Sequence, residues 1–298
     1  MSSSTPAFPP ELEREIFETI AYHYPEMIAN LLLVSRRTYE WIDRMQYTTV
    51  TSYETQWTCQ AKHLVRAIQS NSKPASFFHC HVRRVFLTAT PITDIGQILS
   101  ACGGIQNLML AFQKLSESVI SGIAGLKPRR LGLSWESLPK DANPHMPVFA
   151  FLTHFHMLSH LSAPKSTVRL SSFLAQLPVL THFAAFCNPD RGDFAVAARD
   201  ILTACKALRV FVLNPIYWRK NSEFSESLPS MDDVRFVYLY LGFGNCHLWN
   251  GWISQTRGGI DFWARADAFV AKKGRGEIQP ASRCWIEPPD CVPEFDPL

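Results

Sequence analysis

Charge is scarce in this chain. Asp, Glu, Lys and Arg make up 18% of its 298 residues, and 29 basic against 26 acidic residues leave a formal net charge of +3. A general polyanion binder concentrates Lys and Arg on one face, so nucleic acid is not expected as a partner. No apolar run approaches the roughly 18 residues needed to cross a membrane, and the first ten residues lack the basic segment and apolar core of a secretion signal. Neither export nor a membrane partner is expected. The eight cysteines include no Cys-x-x-Cys pair, and no Asn-x-Ser/Thr acceptor occurs. Reduced thiols and a cytoplasmic or nuclear location are the expectation.

The motifs of common catalysis are missing too. Gly242-x-Gly244 has no third glycine at dinucleotide spacing, and there is no G-x-x-x-x-G-K-[S/T] loop and no G-x-S-x-G elbow. His154, His156 and His160, like His79-Cys80-His81, are metal-ligand types, but no second ligand pair stands at a diagnostic distance. The expectation is a protein that is not an enzyme, with no catalytic residue, no metal and no cofactor.

What the chain does have is a repeat. Val82-Arg83-Arg84-Val85-Phe86-Leu87 sets an apolar spacing that returns at Ile105-Leu108-Leu110, Pro128-Leu131-Leu133, Leu158-Leu161-Ala163, Leu180-Phe183-Ala185, Leu208-Phe211-Leu213 and Val234-Val237-Leu239. The start-to-start intervals are 23, 23, 30, 22, 28 and 26 residues. An L-x-x-L-x-L core at such periods belongs to leucine-rich repeats, in which each unit supplies one strand and one helix. The fold expected is therefore α/β: an irregular solenoid over 81–258, with parallel strands near 84–88, 107–111, 130–134, 160–164, 182–186, 210–214 and 236–240 on a concave face and helices on the convex face. Cys102 and Cys205, three residues before the next strand's first apolar position, should be inert buried thiols.

Side chains alternate along a strand, so if Val85 and Leu87 face the core, Arg84 and Phe86 face outward. The same rule places Arg84, Phe86, Met109, Arg130, His160, His182, Phe236, Tyr238 and Tyr240 on the concave surface, where Arg and aromatic residues make a candidate target-binding face. The alternative is that its C-terminal aromatics pack beneath the last helix. That helix is expected over Asp261–Gly274, with Asp at its start and Lys272 and Lys273 in its last turn, within a capping segment 259–279 closing the array. A proline-rich tail follows at 280–298.

Ahead of the repeats, residues 1–7 read as a mobile tail and 51–80 as a linker or degenerate first repeat. Between them, Leu12, Ile16, Phe17 and Ile20 form a helical stripe after Pro10, Pro25 restarts a short helix, and Ser35 can cap a third. Three short helices make a small core that would lean on a partner. Phe8-Pro9-Pro10-Glu11-Leu12 with Ile16-Phe17, Leu31-Leu32-Leu33-Val34-Ser35-Arg36-Arg37 and Trp41 resembles an F-box over residues 8–50, with Phe8 where a Leu is usual. F-box followed by leucine-rich repeats is similar to a large group of fungal F-box proteins.

That resemblance implies an SCF-type ubiquitin-ligase adaptor. Phe8, Pro9, Leu12, Ile16, Leu31 and Val34 would dock a Skp-type linker on a cullin scaffold, the repeats would hold a target protein, and the chain would be monomeric outside that complex. The other class of function is an interaction scaffold that recruits no ligase, its helical segment serving only as a solenoid cap.

Overall fold

The computed structural model describes residues 8–52, 60–88, 90–111, 116–139, 142–161, 164–189, 194–215, 229–240, 252 and 260–287. The N-terminal tail 1–7, residues 288–298 of the proline-rich tail and the Gly242–Gly244 turn lie outside them. Within the described residues the protein is α/β and is built on one sheet of eight parallel strands whose spatial order is their chain order. The strands are β1 (Thr49–Ser52), β2 (Arg84–Thr88), β3 (Asn107–Ala111), β4 (Arg130–Leu133), β5 (His154–His160), β6 (His182–Cys187), β7 (Val210–Pro215) and β8 (Phe236–Tyr238).

Parallel strands need a crossover that returns the chain to the same edge, and helices supply it. They are α5 (Gln60–Gln69) and α6 (Ala75–His81) after β1, α7 (Ile92–Ala101), α8 (Glu117–Ala124), α9 (Pro164–Ala175) and α10 (Phe194–Ala204), the elements before β1 being α1 to α4. Between β4 and β5 only the 3-10 turns Trp135–Ser137 and Pro147–Phe149 stand in that layer among the described residues.

The sheet is buried on both faces, as all-parallel sheets generally are. On the first face, Val85, Leu87, Leu108, Leu110, Leu131, Leu133, Phe155, Met157, Phe183, Phe211 and Leu213 meet the crossover helices in the principal core. Cys102 and Cys205 are buried there, and burial pushes their thiols up to about 12 and about 11. They hold the inert state expected of them.

Two strand registers differ from the sequence expectation. The fifth strand is 154–160, six residues before 160–164, because Leu152-Thr153-His154-Phe155-His156-Met157 pairs with Leu180-Thr181-His182-Phe183-Ala184-Ala185. Both frames satisfy the apolar spacing. In the observed one Thr153 N donates to Arg129 O and Thr181 N to Thr153 O, and the intervals flanking Leu152 even out to 24 and 28 residues.

The last strand is slipped by one residue: Phe211 pairs with Phe236 and Leu213 with Tyr238, so Phe236 and Tyr238 enter the principal core while Val237 faces the other way. A one-residue slip exchanges every side chain between faces, and the continuous apolar run Phe236-Val237-Tyr238-Leu239 offers no phase to prevent it.

The described parts of segment 51–80 supply a strand and helices to the array, since β1 pairs with β2 and carries α5 behind it. The strand begins at Thr49, inside the range expected for the helical unit. That unit contains α1 (Pro10–His23), α2 (Ile28–Leu31), α3 (Arg36–Ile42) and α4 (Met45–Thr48). Pro10 opens α1 where its missing N–H costs nothing, and Ser35 caps α3 by accepting from Thr38 N. Its core is small: Ala21, Leu31 and Ile42, with Phe17, Ile20, Trp41 and Met45 against them.

The C-terminal helix α11 (Phe262–Gly274) forms where expected, capped by Asp261. It does not close the end of the array. It lies across the second face of the sheet, where Phe262, Trp263, Ala266 and Phe269 join Phe86, Met109, Ala184, Val212, Val237 and Trp252 in a second core. The start of the proline-rich tail is also drawn in: Tyr238 N donates to Cys284 O at 2.6 Å and Ile286 N to Tyr238 O at 3.1 Å, shielding the edge of β8.

Candidate functional site

Two surfaces carried the expected binding residues, and the structure treats them differently. On the helical unit, Phe8 (53%), Leu12 (48%), Ile16 (43%) and Val34 (58%) stay exposed, as does neighbouring Leu33 (85%). Pro9 is exposed as well. Leu12 and Ile16 lie one turn apart on α1 and so share a face. An ion pair between Arg37 and Glu13 ties the start of α3 to the start of α1, bringing Leu33 and Val34 to the end that carries Phe8 and Leu12. Leu31, grouped with them in sequence, is instead buried in the small core. Its role is to hold the helices together, because an interior side chain cannot also meet a partner.

The second sheet face is largely closed. Phe86 and Met109 are fully buried beneath the C-terminal segment. Phe86 meets Trp252 at 5.5 Å between ring centroids. The arrangement depends on Gly132, whose absent Cβ would sit 2.9 Å from Met109 Cγ and 3.2 Å from Trp252 Cζ2. Arg130 forms an ion pair with Asp261, whose second carboxylate oxygen accepts from Ala264 N at 2.8 Å. One side chain therefore caps α11 and pins it to β4. His182, expected on the target face, is buried and its Nε2 lies 3.0 Å from Asp267 of α11. Of the remaining expected residues, His160 is exposed, Arg84 and Tyr240 are half-buried, and Phe236 and Tyr238 are on the other side of the sheet.

Three histidines meet under α11: His154 and His156 on β5 and His182 on β6. His154 and His182 stack with centroids 4.0 Å apart and planes 8° from parallel, both edge-on to Trp263. Thr153 Oγ1 and Thr181 Oγ1 contact their Nδ1 atoms at 2.8 and 2.7 Å. His154 is pushed down to about 2 by burial, with His182, Arg130 and Arg209 adding repulsion. Burial alone pushes His156 down to about 3. His156 Nδ1 accepts the indole N–H of Trp252 at 3.1 Å, which places its proton on Nε2, an atom with no hydrogen-bond partner among the described residues.

In the sequence His154 and His156 form only a weak metal pattern, and among the described residues no group of three His, Cys, Asp or Glu could hold a metal ion. A cover by the last helix was the alternative expected for the C-terminal aromatics; the structure instead extends it back to Phe86 and Met109, while Phe236 and Tyr238 leave that face. Gly132, a glycine inside a strand, was the one sign that another group approaches closely there. No helix among the described residues is long and apolar enough to cross a membrane. No family model matches this chain, and no curated protein matches it.

Proposed function

We propose that the protein is a non-catalytic adaptor of an SCF-type ubiquitin ligase, in which residues 8–48 act as an F-box that docks a Skp-type linker and the strand array, read as leucine-rich repeats, holds a target protein. The observation that carries this reading is the exposed apolar group Phe8, Leu12, Ile16, Leu33 and Val34 on a unit whose apolar core among the described residues is only three buried side chains. Exposed apolar clusters of this kind mark interaction sites, and a helical cap serving only the array would turn them inward. The sequential parallel sheet supports a repeat architecture. Target recognition then falls to what the C-terminal cover leaves open, exposed His160 and half-buried Arg84, and not to the whole second face. Tethering the target beside a ubiquitin-loaded enzyme would act through effective concentration, with no chemistry supplied by this chain.

A scaffold that recruits no ligase is the second reading. It draws on the way the helical unit merges into the array: α4 runs directly into β1, and Lys73 Nζ bonds Asp43 Oδ2 at 2.5 Å across the junction. Co-purification with a recombinant Skp-type linker separates the two. The adaptor reading expects a stoichiometric complex with wild type that Leu12→Asp or Ile16→Asp abolishes. A folded wild type that leaves the linker in the flow-through overturns it in favour of the scaffold.

A further inference from the structure

We propose that the C-terminal segment around α11 is an acid-releasable cover of the second sheet face, latched by the hydrogen bond from Trp252 to His156 and by the His154–His182 stack beneath Trp263. The inference does not depend on the adaptor reading.

The latch works only with neutral imidazole. Trp252 Nε1 can only donate, so His156 Nδ1 must accept. Protonating Nδ1 would set two N–H groups facing each other and place a charge among Phe186, Phe262, Trp252 and Trp263. Those rings bring no counter-charge. His154 is similarly exposed to repulsion: the charged groups around it are Arg130 on β4, His182 on β6 and Arg209 before β7, with Asp261 already engaged by Arg130. Asp267 on α11 faces His182 and Arg209, so acid leaves that one contact in place while it opposes the other two.

Burial holds His154 and His156 protonatable only near pH 2 and 3, whereas a released cover returns each to an ordinary imidazole. Each histidine that regains an unperturbed pKa near 6.5 on release shifts the equilibrium toward the open state by about 30-fold at pH 5. Opening would uncover Phe86, Met109, Ala184, Val212 and Val237 as a continuous apolar face. The cover thereby sets when that face is available.

Amide hydrogen exchange of the full-length protein at pH 7.5 and 5.0, corrected for the intrinsic pH dependence of exchange, tests this. The expected result is that amides of residues 262–274 lose at least 30-fold protection at pH 5.0 while β3 and β6 stay protected, and that His156→Gln, which keeps an acceptor but cannot titrate, reduces the loss at least tenfold. Unchanged protection of α11 in wild type, loss shared equally with β3 and β6, or an identical loss in His156→Gln would overturn it. Should that variant not fold, histidine NMR of wild type decides: His156 must report the Nε2–H tautomer at neutral pH and titrate together with release. Titration near pH 6.5 with α11 still in place would be the contrary result.

Discussion

The N-terminal helices and the second face of the sheet handle apolar side chains in opposite ways. In residues 8–48 the chain keeps Leu12, Ile16, Leu33 and Val34 on the surface around an apolar core of three buried residues. On the sheet, Phe86, Met109 and Val212 would be as exposed as those residues, but the last helix of the chain returns and covers them. The difference separates two kinds of apolar surface. One has found its partner inside the molecule, and the other has none among the described residues. A side chain's outward place in a strand or helix pattern is therefore not enough to make it a binding residue.

Four perturbations sharpen or break that contrast, ordered by expected effect. Trp263→Ala removes the ring over all three histidines and should cost about 3–5 kcal/mol in urea unfolding, the usual scale for emptying a large buried aromatic. A loss below about 1 kcal/mol would show that α11 only rests on the sheet.

Asp261→Asn keeps a helix cap but leaves Arg130 without its counter-charge; about 2–3 kcal/mol should be lost, and an added Arg130→Met should restore most of it. Equal stability of the single and double variants would mean the pair does not hold the cover.

The third perturbation is pH. Folding lowers the pKa of His154 and His156 below their unfolded value, so their contribution is complete above about pH 6.5 and declines as pH falls toward their folded values of about 2 and 3. Between pH 7 and 5 wild type should lose up to about 2 kcal/mol per histidine, and His154→Gln and His156→Gln should each flatten the dependence. A pH profile unaffected by both variants would remove the histidines from the account.

The smallest effect on stability belongs to the helical unit. Leu12→Asp should change unfolding free energy by no more than about 0.5 kcal/mol, as expected for a surface position, while eliminating capture of the linker. A thermal melt showing a large destabilisation would place Leu12 against the array after all.

Local pattern is informative wherever one residue type can occupy only one side. Val85 with Leu87, Leu108 with Leu110 and Leu131 with Leu133 follow the repeat spacing, and their inward orientation is legible in the alternation alone. Asp261 and the lysines near Gly274 likewise mark both ends of α11. The pattern fails where several frames are equally apolar. At 152–163 two overlapping Leu-rich frames compete, and at 236–239 four consecutive apolar residues leave the phase to strand pairing.

Sequence by itself determined the strand-and-helix alternation, the parallel array it requires, and the separate group of helices at residues 10–48, because these follow from neighbours a few residues apart. Only the tertiary structure decided that α11 crosses from β4 to β8, that Arg130 meets Asp261 across 131 residues, and that Trp252 donates to His156. Those contacts join positions whose spacing along the chain has no period. They arise because a sheet face with exposed aromatic rings lowers its free energy by recruiting whatever apolar segment can reach it.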